Sequence, residues 1–309
     1  MSGVLHMSEL PQPSADALAQ SARLLERIAA EIAAGGGWIS FARYMELALY
    51  APGLGYYSGG ARKFGPGGDF ITAPELTPLF GQALAAQVEQ VMRASAPELI
   101  EVGAGTGLLA ADAAGARRLC WADVPAAGAV AEGARALALP VPQSGEYVTE
   151  LNLAGKAWVA AWAERLQAGA LLLIDYGYPR AEYYLPSRSG GTLLCYYRHH
   201  AHGDPFLWPG LNDITAFVDF TAVAEAGFEA GLDVQGYTTQ AQFLFNCGVL
   251  ECLERRGARE SADYIRAARA VQRLTAPQEM GELFKVIVLA RAIDGPLLGF
   301  ARGDRTHAL

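Results

Sequence analysis

The 309-residue chain has few basic residues, few cysteines and no long apolar run. Lys and Arg number 24 against 32 Asp and Glu, a formal charge of −8, and no Lys/Arg run stands out. Nucleic-acid surfaces are normally basic, so no nucleic-acid partner is expected. The four cysteines are Cys120, Cys195, Cys247 and Cys252. None of their spacings matches a zinc-ligand pattern, and Cys247 and Cys252 do not form a CxxC pair. They read as reduced structural thiols of a cytoplasmic protein. The N-terminal stretch MSGVLHMSELPQPSADALAQ lacks a basic start followed by an apolar run, so no secretory signal is expected. Apolar stretches fall far below the ~20 residues a membrane helix needs. With 52% hydrophobic and 18% charged residues, the chain can bury a large core and is not disordered.

What is present reads as an α/β protein. Ser14 is a candidate cap for a helix over 15–34, ended by Gly35-Gly36-Gly37, and a second helix follows Ser40 and stops at Pro52 and Gly53. Residues 53–74 form a glycine- and aromatic-rich stretch that suits a lid or a shaped binding surface. Helix resumes near Pro78. Glu98–Val102 reads as a strand, Gly103–Gly107 as a tight turn and Leu108–Ala114 as a helix start. Further helices are expected over 126–139, 158–166, 217–231, 243–256 and 262–274. Strands are expected at 170–174, 234–238 and 283–290. Asp175-Tyr176-Gly177 would then lie at a strand's carboxyl end, where open α/β sheets collect ligands. Residues 178–215 look like an inserted hairpin and loop rich in aromatics and histidines.

The most informative segment is EVGAGTG, residues 101–107. Alternate glycines let the backbone turn after a strand and approach a ligand without Cβ clashes, and the following helix start offers unpaired N–H groups. A dinucleotide fingerprint would need a third glycine at Leu108, which disfavours a nicotinamide-dependent dehydrogenase. The spacing E-x-G-x-G-x-G is instead typical of S-adenosylmethionine sites, with a plain glycine turn as the alternative. Cofactor-binding candidates are Glu101, Gly103, Ala104, Gly105, Thr106 and Gly107, with Phe70 and Thr72 of GDFITAP as further candidates for which a loop packed against the core is the alternative. No metal is expected, because His199, His200 and His202 come without an acidic or cysteine ligand set. Tyr183, Tyr184, Tyr196, Tyr197 and Trp208 read chiefly as the insertion's own core, although a protein substrate could dock there.

The runs YMELALYAPGLGYYS, FGPGGDFITAPELTPLFGQALA, ELIEVGAGTG and GALLLIDYGYPRAEYYLPSRSGGTLLCYYRHHAHGDP resemble the MidA-like methyltransferase family. So do GLNDITAFVDFTAVAEAGFEAGL, TTQAQFLFNCGVLE and LFKVIVLARAIDGPLLGFARGDRTHAL. The resemblance covers most of the chain from about residue 15. It implies a Rossmann-like class I methyltransferase sheet, an N-terminal helical and lid region over 1–95, and a methyltransferase domain over 96–309 carrying a β-rich insertion at about 178–215. It also implies S-adenosylmethionine as cofactor, and dimethylation of an arginine on a respiratory complex I subunit as activity. An arginine nucleophile stays charged near neutral pH, so its site needs carboxylates to align the guanidinium and accept a proton. Glu75, Asp69 and Asp175 are the catalytic candidates.

One departure is large. Between the glycine motif and LLLIDYG the family has a strand ending in a ribose-holding acid, and another ending in a segment like Asn-Glu-Val-Leu-Asp-Ala. Here RRLCWADVPA follows almost at once. Three missing βα units at ~30 residues each would remove on the order of 90 residues. Two readings stay open: an enzyme in which Asp123 or Glu146 replaces the missing groups, and an internally deleted relative that keeps the turn and insertion as a binding or assembly surface.

Overall fold

The computed structural model describes residues 10–59, 73–96, 98–99, 119–137, 139 and 146–309. Helix α1 (Ala15–Ala34) starts where Ser14 accepts a hydrogen bond from the Ala17 N–H, and ends at Gly35. That hydroxyl satisfies one of the donors a first helical turn leaves open. Ser40 caps α2 (Phe41–Tyr50) in the same way through the Arg43 N–H. Beyond α2 the chain doubles back, with the Tyr56 and Tyr57 N–H groups donating to the Ala48 and Leu49 carbonyls. This holds both tyrosines against the helix. After the short α3 (Ala73–Leu76), helix α4 (Pro78–Ala94) is capped by Thr77, with Pro78 in the first turn where a missing N–H costs nothing. Helices α5 (Gly128–Ala136) and α6 (Leu153–Arg165) complete this part.

The remaining elements are β1 (Gly169–Tyr178), α7 (Arg180–Tyr183), β2 (Leu194–Tyr197), β3 (His200–His202), β4 (Asp213–Thr215) and β5 (Val218–Asp219). They continue with α8 (Phe220–Glu229), β6 (Asp233–Thr239), α9 (Gln240–Asn246), α10 (Val249–Glu254), α11 (Ala262–Thr275) and β7 (Phe284–Arg291). The main sheet has the order β5-β1-β7-β6. Strand β7 runs antiparallel to both β1 and β6, whereas β5 runs parallel to β1.

Helices cover both faces of this sheet, which explains why KVIVLA is continuously apolar rather than alternating. Val286, Val288 and Ala290 face a core with Leu79 and Phe80 of α4, Phe243 of α9 and Leu274 of α11. Ile287 and Leu289 face the opposite core, with Val159 of α6 and Phe220 of α8. Strand β1 divides its side chains in the same manner, Leu172 and Ile174 to the first core and Leu171 and Leu173 to the second. Its edges differ. One pairs with β7 from Gly169 to Tyr176; among the described residues the other is paired only at Gly177 and Tyr178, by β5. The apolar residues of β1 are accordingly half-buried, while Val286–Ala290 of β7 are fully buried.

The insertion forms a second sheet, ordered β3-β2-β4. Arg198 and His199 make its hairpin turn with φ of 47° and 65°, as a tight two-residue connection requires. Cys195 and Ile214 of this sheet share a core with Leu24 and Ile28 of α1 and with Tyr44 and Leu47 of α2. Tyr183, Tyr184 and Tyr197 are buried, so these three do serve as core. The segment after the glycine motif joins the same body: Trp121 packs on Phe41 and Phe206 at ring-centroid distances of 4.7 and 4.8 Å.

Several boundaries differ from the sequence expectation; the helix expected over 158–166, for example, begins at Leu153, where Asn152 caps it through the Gly155 N–H. The helix expected over 243–256 is two helices, because Gly248 adopts φ 78° between them. The helix expected from Phe217 starts at Phe220, since residues 218–219 form β5 and Asp219 caps the helix through the Ala222 N–H. The strand expected to end near Ile174 continues to Tyr178, which puts Asp175 inside the strand rather than at its last residue. Among the described residues no helix is long and apolar enough to cross a membrane.

Candidate functional site

Asp175 follows the apolar run of β1 and stands opposite Lys285 of β7 in register. Its side chain is solvent-exposed, and the Tyr176 N–H donates to Oδ1 at 2.8 Å. Loss of surrounding water is the main cause that raises this carboxyl to about 6; the Tyr176 N–H works against the rise and the charge of Asp213 adds to it. Next in the chain, the Tyr176 hydroxyl shares a hydrogen bond with Thr215, and its ring meets Phe217 at 5.3 Å and Phe284 at 5.5 Å. This fastens the end of β1 to the insertion sheet.

The insertion brings a second carboxylate. Asp213 opens β4 opposite Tyr196, is buried, and accepts a 2.8 Å hydrogen bond from the Tyr57 hydroxyl. Tyr57 stacks on Tyr50 with centroids 5.4 Å apart and 19° between planes. Tyr57, Tyr176, Tyr50 and Tyr196 all have raised hydroxyl pKa values, first from burial and then from the negative charge around Asp213. Two carboxylates and four tyrosines from α2, its following turn, β1 and the insertion therefore form one cluster of mutually influencing groups.

A third acidic group has a different task. Glu150 accepts hydrogen bonds from the Thr192 N–H (2.8 Å), the Leu193 N–H (2.9 Å), the Thr192 hydroxyl (3.0 Å) and the Tyr183 hydroxyl (3.2 Å). It ties the segment entering α6 to the start of the insertion sheet. Asp123 and Glu146, the proposed replacements for missing cofactor ligands, are exposed. His202 is buried, and its Nε2 bonds to the Asn212 Oδ1 at 3.0 Å. Burial lowers its pKa and keeps it neutral. His200 bonds instead to the Arg198 carbonyl, so the two histidines have separate structural partners.

Of the catalytic and cofactor-binding candidates, Asp175 alone has a described side chain in this cluster. Glu101, Gly103, Ala104, Gly105, Thr106, Gly107, Asp69, Phe70 and Thr72 lie outside the described residues, and so does the side chain of Glu75, whose backbone belongs to α3. Sequence reasoning missed Asp213, Tyr57 and Tyr50. The signal available for them was their place in the quoted runs YMELALYAPGLGYYS and GLNDITAFVDF, whose meeting in space no spacing rule predicts.

Asp175 lies near the carboxyl end of β1, the kind of position at which α/β sheets bind ligands. A family model of S-adenosyl-L-methionine-dependent methyltransferases matches residues 115–238. A solved superfamily member from Burkholderia thailandensis, bound to S-adenosyl-homocysteine, is 41% identical with a TM-score of 0.89, over 97% of this chain and 100% of that chain. A second solved structure from the same organism is 38% identical with a TM-score of 0.82 and the same coverage. The Danio rerio mitochondrial protein arginine methyltransferase NDUFAF7 is 43% identical over 93 residues, a match spanning 29% of this chain and 22% of that protein. The Drosophila melanogaster homolog is 25% identical over 413 aligned positions, 95% of this chain and 92% of that protein. Those 413 positions exceed the 309 residues of the chain by 104, so at least 104 positions of the fly protein face gaps here. With a full-length relative above 40% identity and the same fold, the chain belongs to the MidA-like family of S-adenosylmethionine-dependent methyltransferases.

Proposed function

We propose that the chain methylates arginine side chains of a protein, with S-adenosylmethionine held at the carboxyl end of β1. The observation that carries this reading is Asp175: an exposed carboxylate near the carboxyl end of β1, raised to about 6 chiefly by lost hydration, with the charge of Asp213 adding to the rise. When bound, the cofactor supplies an electrophilic methyl group on a sulfonium. Glu101 and Gly103–Gly107 are the residues assigned to hold it. Asp175 and Asp213 orient the guanidinium, and Asp175 takes the proton that nitrogen releases as it gains the methyl. A carboxyl near 6 is ionised at neutral pH yet basic enough to accept that proton. Relatives named as protein arginine methyltransferases support the substrate class, and the family resemblance favours a complex I subunit. The free thiols fit a reducing compartment, and a cytoplasmic location is part of the reading; the curated relatives carry a mitochondrial designation.

The gap relative to the fly protein supports a second reading, a shortened relative that binds a partner without catalysis. Methyl-labelled S-adenosylmethionine, incubated with the chain and whole-cell protein from a strain lacking it, separates the two. Label recovered as methylarginine supports the enzyme. Cofactor binding without methylarginine supports the binding protein.

A further inference from the structure

The geometry points to Tyr50 as a substrate-selecting residue: its outer ring face receives the planar cation of the substrate, backed by Tyr57, whose hydroxyl is bonded to Asp213. This rests on the arginine reading above and extends it to a residue that reading does not use. Tyr50 ends α2, and at 59% exposure it is among the most open large side chains of the protein. One face of its ring is backed by Tyr57, 5.4 Å away and nearly parallel. Tyr57 cannot move aside, because its backbone N–H is bonded to the Leu49 carbonyl and its hydroxyl to Asp213. The other face is thus presented rigidly to solvent within the field of a buried carboxylate, and that field already raises the Tyr50 hydroxyl pKa after burial.

An exposed aromatic ring that is stacked, immobilised and in the field of an acid matches a guanidinium better than a neutral or anionic group. A guanidinium is flat and weakly hydrated, and it stacks on aromatic faces while its N–H groups reach a carboxylate edge-on. An ammonium would gain the charge attraction without the stacking. The site therefore takes arginine in preference to lysine, and in preference to citrulline, which has nearly the same shape but no charge.

The test uses the full chain and two peptides, acetyl-Gly-Arg-Gly-amide and its citrulline counterpart, with binding read by ligand-observed NMR. The arginine peptide should bind roughly tenfold more tightly than the citrulline peptide, and Tyr50→Ala should weaken arginine binding roughly fivefold while leaving the citrulline peptide unmoved. Tyr50→Phe should restore the wild-type preference, because the ring and not the hydroxyl carries the effect. Equal binding of the two peptides, or an unchanged preference in Tyr50→Ala, overturns the assignment. A methylarginine assay run in parallel keeps the two ideas apart. Methylation with an unaltered KM in Tyr50→Ala removes Tyr50 from the site but leaves the activity standing. Selective arginine binding without methylation keeps Tyr50 and removes the activity.

Discussion

Asp175→Asn tests the chemistry most sharply. With its carboxyl raised to about 6, Asp175 is about nine-tenths ionised at pH 7 and about one-tenth ionised at pH 5. If it accepts the proton from the substrate, kcat/KM should fall roughly tenfold between pH 7 and pH 5 along a single titration. Asparagine keeps the shape and the hydrogen bond from the Tyr176 N–H but accepts no proton, so turnover should drop by roughly 10²-fold or more. The residual rate should lose its pH dependence in that window. Stability moves the other way. A carboxyl whose folded pKa lies above its ordinary 3.8 favours folding as pH falls through the interval from about 6 to 3.8, and its ionised form is a liability above 6. Asp175→Asn should therefore melt at the same temperature as the parent at pH 7, or higher. The assay is initial-rate methylation from pH 5 to 8, with circular dichroism at each pH to confirm the fold. A flat rate profile from pH 5 to 7, or full turnover in the asparagine variant, would refute the assignment.

Three further outcomes follow from the same geometry. Glu150→Ala strands the Thr192 and Leu193 N–H groups and leaves the Thr192 and Tyr183 hydroxyls bonded to each other without the carboxylate, and should cost about 3 kcal/mol in urea unfolding; Glu150→Gln, which keeps one carbonyl oxygen, should recover part of it. His202, held neutral by burial, takes up a proton less readily when folded than its ordinary 6.5 allows. The unfolded chain then binds more protons, so stability should fall as pH drops through 6.5, and His202→Gln should reduce that slope in denaturant titrations from pH 7.5 to 5. Gly248→Ala puts a side chain at φ 78° between α9 and α10 and should lower stability by about 1 kcal/mol, read by thermal unfolding.

Local structure was legible where one residue decides it. Ser14, Ser40 and Gly35 mark helix ends in the sequence because capping is a short-range hydrogen bond, and the structure places them there. The closing strand was legible because a continuous apolar run needs two covered faces, which β7 has. Gly248 was harder, since a glycine inside a helical pattern is compatible with both a continuous and a broken helix until its φ is known. Of the cluster, Asp175 was visible as an acid directly after an apolar strand. Its companion was not: the Tyr57–Asp213 hydrogen bond joins residues 156 positions apart, and only the packing of the insertion against α1 and α2 creates it. The turn that returns Tyr57 to α2 likewise rests on backbone bonds to Ala48 and Leu49 that no side-chain pattern announces.

The central claim is that this shortened member of the family keeps a working cofactor site. Calorimetric titration of the full chain with S-adenosyl-homocysteine measures it without needing the substrate. Saturable binding at one site per chain, abolished by Gly105→Val through the branched side chain placed on the turn, is the predicted result. No detectable heat at about 1 mM ligand would contradict it.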